Sequence, residues 1–281
     1  MGGNALQIGY FGEEGSFSHL AALRRFPECQ AHSCATIEKA FDCLATGIAS
    51  PIVVPIENAS SGIIPDTVDR LIWLCAQENG QAFGVQECLS MRIKLVLLAK
   101  QEGIEPTVIY SHNAPLTHAH SWLAENYPHA KLVPTESTSL AAQLALGEPG
   151  TAALAGEQAA ELYGLRILRD DVHQAVANRT KFYVIGRPLT DSGPATHTAL
   201  LFELPDVTGS LGAALKVISD HGLNLTMIQS RPIPGRFDEY RFFIEFRGTP
   251  NEGKGRAALD ELKAHTNNLS LLGTYPIVDL S

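Results

Sequence analysis

Short apolar runs alternate with amphipathic stretches along the first two thirds of the chain. The apolar runs are rich in β-branched residues or alanine and predict buried strands at 6–11, 52–56, 107–110 and 151–155, with a longer β-rich stretch at 85–100. The amphipathic stretches place apolar side chains at helical spacing and predict helices at 19–26, 36–45, 65–75, 115–126, 140–146 and 157–163. This alternation predicts an α/β fold with a largely parallel sheet.

The pattern changes after residue 185. Residues 187–194 are turn and linker residues that include two prolines and a glycine. The elements predicted beyond them are strands at 198–204, 225–233, 239–246 and 269–275 and helices at 209–221 and 255–266. This βαββαβ order predicts a small ferredoxin-like sandwich. A chain of 281 residues is long enough for two cores, so we expect domains at 1–188 and 195–281.

Charge and hydropathy exclude several classes of partner. The net charge of −9 argues against binding to nucleic acid, which needs a basic face. A small anion remains compatible with that charge, provided that a few cations and backbone N–H groups converge locally. No apolar run is long enough to span a membrane, and the first residues lack a signal-peptide pattern, so we expect neither a membrane partner nor secretion.

The cysteines indicate a reduced, cytoplasmic protein. They are odd in number and lack C-x-x-C spacing, and they lie at Cys29, Cys34, Cys43, Cys75 and Cys88. The spacing of His32, Cys34 and Cys43 matches no closed tetrahedral zinc pattern. No dinucleotide fingerprint is present either, so we expect neither a metal nor an organic cofactor.

Polar residues follow two of the predicted strands. The segment 12–18 contains glycines with Ser16 and Ser18 and leads into a helix, an arrangement that points N–H groups and hydroxyls toward an anion. The alternative is that Ser18 simply caps that helix. Small polar residues also follow the strand at 52–56, and open α/β sheets bind ligands at this end of their strands.

A third polar cluster, at 178–181, places an amide, a guanidinium, a hydroxyl and an ammonium directly before an apolar run. Alternate side chains of a regular strand face opposite ways. Thr180 and Lys181 therefore enter one pocket only if residues 178–181 form an irregular loop. We expect such a loop, with the strand beginning near Phe182.

Several motifs occur together in a specific order. They are Gly15-Ser16-Phe17-Ser18, V-P-I-E-N-A-S-S-G at 54–62, Ser111-His112, Tyr163-Gly164-Leu165 and N-x-T-K-F at 178–182. In this order they resemble the prephenate dehydratase family. The C-terminal part is similar to the ACT regulatory domain attached to those enzymes, through G-S-L at 209–211, G-L-N-L-T at 222–226 and Q-S-R-P at 229–232. The resemblance covers nearly the whole chain.

The resemblance implies a catalytic domain of two α/β lobes, similar to periplasmic binding proteins, with the active site between them. The implied reaction is decarboxylation and dehydration of prephenate to phenylpyruvate, on the route to phenylalanine, in which a hydroxyl such as that of Thr180 protonates the leaving oxygen. The implied catalytic residues are Thr180, Lys181, Asn58 and His112. The implied substrate-binding residues are Ser16, Ser18, Ser60, Ser111, Asn178, Arg179 and Phe182. Two alternatives stay open: His112 is structural, and Phe182 is a core residue.

The ACT resemblance implies allosteric control by phenylalanine. Effector-binding residues are then expected at Gly209, Ser210, Leu211, Asn224, Leu225, Gln229 and Ser230. ACT domains similar to this one pair side by side with the effector between subunits. We therefore expect a homodimer or a dimer of dimers.

The sequence departs from the family pattern at several positions. Lys181 stands where the family usually has arginine, Ala59 where it has serine, Ile93 where it commonly has histidine, and Gln229 where the ACT motif has glutamate. The cationic groups of lysine and arginine are not equivalent, because only arginine grips a carboxylate with two parallel bonds. Two other functions stay open: a divergent enzyme that decarboxylates prephenate without aromatisation or uses another small carboxylate such as arogenate, and a non-catalytic amino-acid sensor.

Overall fold

A computed structural model describes residues 6–59, 61–76, 83–170, 172, 178–189, 192–250 and 253–281. The described residues form three β-sheets with helices packed on them, and we number the elements in chain order. The first sheet has the strand order β16-β5-β11-β3-β1-β2, with β4 paired to β3. Its strands are β1 (Gln7–Phe11), β2 (Gln30–Cys34), β3 (Ile52–Asn58), β4 (Gly62–Ile63), β5 (Gly84–Arg92), β11 (Arg179–Gly186) and β16 (Ile277–Asp279). Its helices are α1 (Phe17–Arg25), α2 (Ile37–Thr46) and α3 (Pro65–Ala76).

The second sheet has the order β10-β6-β9-β7-β8 and forms the second lobe. Its strands are β6 (Leu95–Ala99), β7 (Val108–His112), β8 (Lys131–Thr135), β9 (Thr151–Gly156) and β10 (Arg166–Arg169). Its helices are α4 (Asn113–His118), α5 (His120–Asn126), α6 (Thr138–Leu144) and α7 (Gln158–Tyr163). The single helix predicted at 115–126 is thus two helices, which meet at Ala119.

The third sheet has the order β13-β14-β12-β15. Its strands are β12 (His197–Glu203), β13 (Asn224–Pro232), β14 (Tyr240–Arg247) and β15 (Asn267–Tyr275), and its helices are α8 (Ser210–Asp220) and α9 (Gly253–His265). The chain order β12-α8-β13-β14-α9-β15 confirms the predicted βαββαβ arrangement. The strands and helices of this part share a core that includes Leu200, Val217, Ile244 and Leu262.

The prediction of a largely parallel sheet is wrong for both lobes. In the first sheet β1 is parallel to β2 and β3, whereas β11 is antiparallel to both β3 and β5. In the second sheet β9 is parallel to β7 and antiparallel to β6. The apolar pattern of a strand reports burial but not direction, so the sequence did not distinguish the two cases. The antiparallel insertion of β11 beside β3 is what forms the candidate site.

The third sheet is joined to the first lobe by more than the linker. The last strand, β16, returns to the first sheet and pairs in parallel with β5. One apolar core includes Val54 and Leu71 of the first lobe together with Leu201, Met227 and Phe243 of the third sheet. The C-terminal sheet therefore packs directly on the lobe that carries β11.

Candidate functional site

The pairing of β11 with β3 places Thr180 opposite Asn58. The Asn58 side-chain amide Nδ2 donates a 2.8 Å hydrogen bond to Thr180 Oγ1, while its Oδ1 accepts from the backbone N–H of Ser61 at 3.3 Å. Because the amide oxygen is occupied by an N–H donor, the amide nitrogen must face Thr180. The Thr180 hydroxyl is thus an acceptor toward Asn58, and its own hydrogen points away from that amide nitrogen.

Lys181 lies on the opposite face of β11 from Thr180. Its Nζ is 2.7 Å from Glu57 Oε2, and the two side chains are 28% and 29% exposed. Burial lowers the pKa of Lys181, but the hydrogen bond that Lys181 donates to Glu57 and the charge of Glu245 outweigh it and raise that pKa above its usual value. Lys181 is therefore a cation that is neutralised by Glu57.

The predicted irregular loop at 178–181 is wrong, because β11 already begins at Arg179. A register shift against β3 occurs only after Lys181, so Thr180 and Lys181 keep the alternation of a regular strand. The two side chains consequently do not share a pocket.

Arg179 is engaged by neighbouring strands. Its Nη2 is 2.6 Å from Asp279 Oδ1 in β16, and its Nε donates to Ser90 Oγ in β5 at 3.1 Å. Hydrogen bonds from Ser281, followed by the hydrogen bond and positive charge of Arg179, lower the pKa of the Asp279 carboxyl group. Both cations of the 178–181 cluster are thus paired with carboxylates of the first sheet.

Asn178 precedes β11 and is only 6% exposed. Its side-chain Oδ1 is buried and has no hydrogen-bond partner within the described part of the chain. Its backbone carbonyl accepts from the Ile93 N–H at 2.8 Å, which fixes the position of the residue. A buried acceptor without a donor costs about 1–3 kcal/mol, so this oxygen is suited to accept a hydrogen bond from a ligand.

The segment 12–18 lies where the two lobes meet. Gly15 has φ +82°, a backbone conformation that favours glycine, and its Cα lies close to the Leu162 side chain of the second lobe. The Gln158 amide donates to Gly15 O at 3.3 Å, and the Tyr163 hydroxyl donates to Glu14 O at 3.0 Å. The segment predicted to bind substrate therefore also contacts the second lobe.

Several hydrogen-bond donors of the 12–18 segment already have acceptors within the protein. The backbone N–H groups of Gly12, Gly15 and Ser16 donate to Cys34 O, His19 Nδ1 and Glu13 O. Ser16, rather than Ser18, caps α1: its Oγ accepts from the His19 N–H at 3.3 Å and donates to Phe11 O at 3.2 Å. Anion binding by these three N–H groups, which the sequence predicted, would require these bonds to break.

Three of the residues expected in the site make contacts that stabilise the fold, namely Ser111, His112 and Phe182. Ser111 is fully buried, and its hydroxyl donates to Leu154 O at 2.5 Å, which ties β7 to β9. The exposed His112 caps α4 through its Nδ1, which accepts from the Ala114 N–H at 3.4 Å. Phe182 is 1% exposed and belongs to the core that spans both lobes. Ser18 is buried at the start of α1, and Ser60 lies outside the described residues.

The expected effector residues form two groups on the third sheet. Gly209 has φ +88° and directly precedes α8, where Ser210 begins the helix and Leu211 packs against the core. The other group lies within β13, the edge strand of the sheet, and consists of Asn224, Leu225, Gln229 and Ser230. In this group the Gln229 side chain donates to Ser230 O at 3.1 Å.

Two polar contacts that the sequence did not predict join this sheet to the first lobe. Arg231, which follows Ser230, forms a two-pronged ion pair with Asp69 of α3, with Nε 2.6 Å from Asp69 Oδ1. Glu245 is 1% exposed and accepts from the Tyr275 and Tyr183 hydroxyls at 2.7 and 3.1 Å. Since Tyr183 belongs to β11, the strand that carries Thr180 is bonded directly to the C-terminal sheet.

No described helix is long and apolar enough to cross a membrane.

Comparison with known proteins identifies the two parts of the chain. Residues 8–189 match the family model of prephenate dehydratase, and residues 198–264 match that of the ACT domain. The bifunctional chorismate mutase/prephenate dehydratase of Aquifex aeolicus is 35% identical over 274 residues, an alignment that covers 96% of this chain and 74% of the relative.

Solved structures agree with this assignment. The prephenate dehydratase of Arthrobacter aurescens in complex with L-Phe has a TM-score of 0.83 and 27% identity, covering 96% of this chain and 89% of that one. The structure described as GqqA, a novel type of quorum quenching acylase, has the same TM-score and identity and covers 96% of this chain and 97% of that one. The chain belongs to the prephenate dehydratase family and carries a C-terminal ACT domain.

Proposed function

We propose that Thr180, Asn58 and Asn178 form the centre at which the chain converts prephenate to phenylpyruvate. The observation that carries this proposal is the 2.8 Å hydrogen bond from the Asn58 amide to Thr180 Oγ1, because it directs the threonine hydrogen away from Asn58. A hydroxyl held as a donor in this way matches the need of the reaction for a proton donor at a poor leaving group.

The reaction breaks two bonds of the substrate ring. The bond to the ring carboxylate breaks and carbon dioxide leaves, and its electron pair enters the ring. The bond to the ring hydroxyl breaks, and the hydroxyl leaves as water once it has gained a proton. In our proposal Thr180 gives its proton to the leaving oxygen and regains one from solvent after water departs. Asn178 Oδ1, which has no partner among the described residues, accepts a hydrogen bond from that same substrate hydroxyl. Together the two residues hold the leaving group in line for departure.

The position of Lys181 supports dehydration over the divergent reactions. The departure from the family's arginine was a reason to consider decarboxylation without aromatisation. Lys181 faces away from Thr180 and pairs with Glu57, so the change does not remove a group from the proposed centre. Lys181 and Arg179 are accordingly proposed to support β11 rather than to bind substrate, and His112 to cap α4.

Phenylalanine is the proposed effector. The similar structure from Arthrobacter aurescens is described in complex with L-Phe. Four of the seven expected effector residues lie on β13. Among the described residues, no strand pairs with the outer edge of β13, so this edge can pair with a strand of another chain. We therefore propose that two chains associate at this edge as a homodimer or a dimer of dimers, with phenylalanine between them. The five free cysteines support a cytoplasmic protein.

Incubation of the purified protein with prephenate tests the proposed reaction. We expect phenylpyruvate to form faster than in the spontaneous acid-catalysed reaction. A product that has lost carbon dioxide but kept the hydroxyl, distinguished by its mass, would instead establish the divergent decarboxylase. Phenylalanine binding without any turnover of prephenate would establish the amino-acid sensor. Parallel assays with arogenate show which of the two substrates is preferred.

A further inference from the structure

A cluster of soft metal ligands lies on the first lobe, on the side of the sheet covered by α2. His32 and Cys34 are two residues apart on β2 and therefore project from the same face of the strand. Cys43 reaches them from α2. One ligand atom from each of the three residues lies within 4.8 Å of the other two.

We propose that His32, Cys34 and Cys43 bind one zinc ion, with the fourth coordination position open to water or another small ligand. The Sγ atoms of Cys34 and Cys43 are 3.7 Å apart. Two thiolates on a tetrahedral zinc ion, each about 2.3 Å from the metal, lie about 3.8 Å apart. The two sulfurs are thus already spaced as zinc requires.

The burial of the three residues suits such a site. Cys34 is 3% exposed, Cys43 is partly exposed and His32 is exposed. The sulfurs sit against the apolar core, which excludes water from one side, while the imidazole lies at the surface. An exposed imidazole can close onto an ion that enters from solvent without rearranging the core. Two sulfurs and an imidazole nitrogen are a ligand set that favours zinc over magnesium or calcium.

The site adjoins the segment that joins the lobes. The Gly12 N–H donates to Cys34 O at 2.8 Å, and the Ser33 hydroxyl donates to Gly12 O at 2.7 Å. A metal ion bound at the end of β2 would fix both bonds and so hold the start of the 12–16 segment. The ion would therefore stabilise the fold next to the proposed centre without touching Thr180.

Metal titration of the reduced protein tests this proposal. We expect one equivalent of Zn²⁺ to bind per chain and to raise the melting temperature. Co²⁺ used in place of Zn²⁺ should give the charge-transfer absorption of cobalt bound by two thiolates. The substitutions Cys43→Ser and His32→Ala should weaken Zn²⁺ binding by about 100-fold or more. Both positions are at least partly exposed, so these variants are expected to fold, as circular dichroism would show.

Cys75→Ser is the matched control, because Cys75 is an exposed cysteine outside the cluster. It should bind Zn²⁺ as the unchanged protein does. Absence of stoichiometric binding, absence of the cobalt–thiolate absorption, or full binding by Cys43→Ser would each overturn the proposal. A Cys34–Cys43 disulfide in protein isolated under reducing conditions would also overturn it, since the two thiols would then not be available to a metal.

Discussion

Thr180 and Asn58 are functional candidates because a hydrogen bond between their side chains fixes the orientation of the threonine hydroxyl. The Asn58 amide is fixed at both ends, by the Ser61 N–H and by Thr180 Oγ1. A threonine in a strand has no intrinsic preference to donate its hydrogen in one direction. The orientation of the neighbouring Asn58 amide supplies that preference.

The role of the Thr180 hydroxyl can be tested by removing it. Thr180→Ala should lower kcat/KM for prephenate by about 10²-fold or more, the range expected when a positioned proton donor is lost. Thr180→Ser keeps the hydroxyl and should keep most of the activity. Rates of phenylpyruvate formation, measured with the unfolding free energy of each variant, check this. Wild-type turnover by Thr180→Ala would remove the residue from the mechanism.

Asn178 allows a test that separates binding from folding. Replacing it with leucine keeps a similar volume and removes the buried Oδ1, which has no hydrogen-bond partner among the described residues and whose burial costs about 1–3 kcal/mol. Asn178→Leu should therefore leave the free energy of unfolding unchanged or higher, while kcat/KM falls because the substrate hydroxyl loses its acceptor. Denaturant unfolding and steady-state kinetics measure the two effects.

Asn126 provides the matched control for this substitution. Its Nδ2 donates to Trp122 O at 2.9 Å, and its Oδ1 accepts from Arg169 at 3.4 Å. Asn126→Leu loses both hydrogen bonds, at about 1 kcal/mol each, and should thus lower the free energy of unfolding by about 2 kcal/mol without a specific loss of activity. If Asn178→Leu destabilises the protein like Asn126→Leu, the role of Asn178 is structural.

At the scale of the element, β11 divides its polar residues between two faces. Thr180 faces Asn58, whereas Lys181 faces Glu57 and the side of the sheet where Tyr183 meets the C-terminal sheet. Thr180 thus lies at the proposed centre, whereas the adjacent Lys181 stabilises the pairing of β11 with β3. Lys181 is a cation, like the arginine usual in the family, and in this chain it pairs with Glu57.

This division predicts that Lys181 affects stability more than chemistry. Lys181→Met leaves Glu57 without its partner, and a double-mutant cycle with Glu57→Gln should give a coupling of about 1 kcal/mol in the free energy of unfolding. Lys181→Arg keeps the ion pair and should keep kcat/KM close to the original value. A loss of kcat/KM in Lys181→Met as large as in Thr180→Ala would contradict the assignment to the far face.

At the scale of the whole molecule, two polar contacts join the ACT domain to the lobe that carries the proposed centre. Arg231 directly follows the expected effector residue Ser230 and grips Asp69 on α3. Glu245 binds Tyr275 of its own domain and Tyr183 of β11. Arg231 lies on β13 and Glu245 on β14, so an effector that moves either strand relative to the lobe changes one of these contacts. Through Tyr183, such a change can reach β11, the strand that carries Thr180.

The ion pair between Arg231 and Asp69 can be tested from the side of the lobe. Asp69→Asn removes the charge from α3 and leaves the effector residues untouched. We expect phenylalanine still to raise the melting temperature, but the change that it produces in kcat/KM to shrink. Asp220→Asn is the control, because Asp220 pairs with Lys216 inside α8. An undiminished response to phenylalanine in Asp69→Asn would exclude this ion pair from the coupling.

The sequence by itself determined most of the secondary structure, the change of pattern after residue 185 and the family of the chain. These features depend on residues close together in the sequence: apolar periodicity, caps and short motifs. The prediction of a single helix at 115–126 is wrong at Ala119, where α4 ends and α5 begins. The spacing of apolar residues continues through this point, so it does not reveal the break. The prediction of strand direction in the lobes is wrong for a related reason. A strand buries the same side chains whether its neighbours are parallel or antiparallel, so its apolar pattern does not report direction.

Only the tertiary structure decided which side chains meet. Thr180 and Asn58 are 122 positions apart, and Arg231 and Asp69 are 162 apart, so no local pattern relates them. The three ligands of the proposed zinc site have a spacing that matches no known motif, yet a strand and the helix packed on it bring their ligand atoms together. Strand pairing and packing fix these contacts, because they place distant segments at set registers and faces.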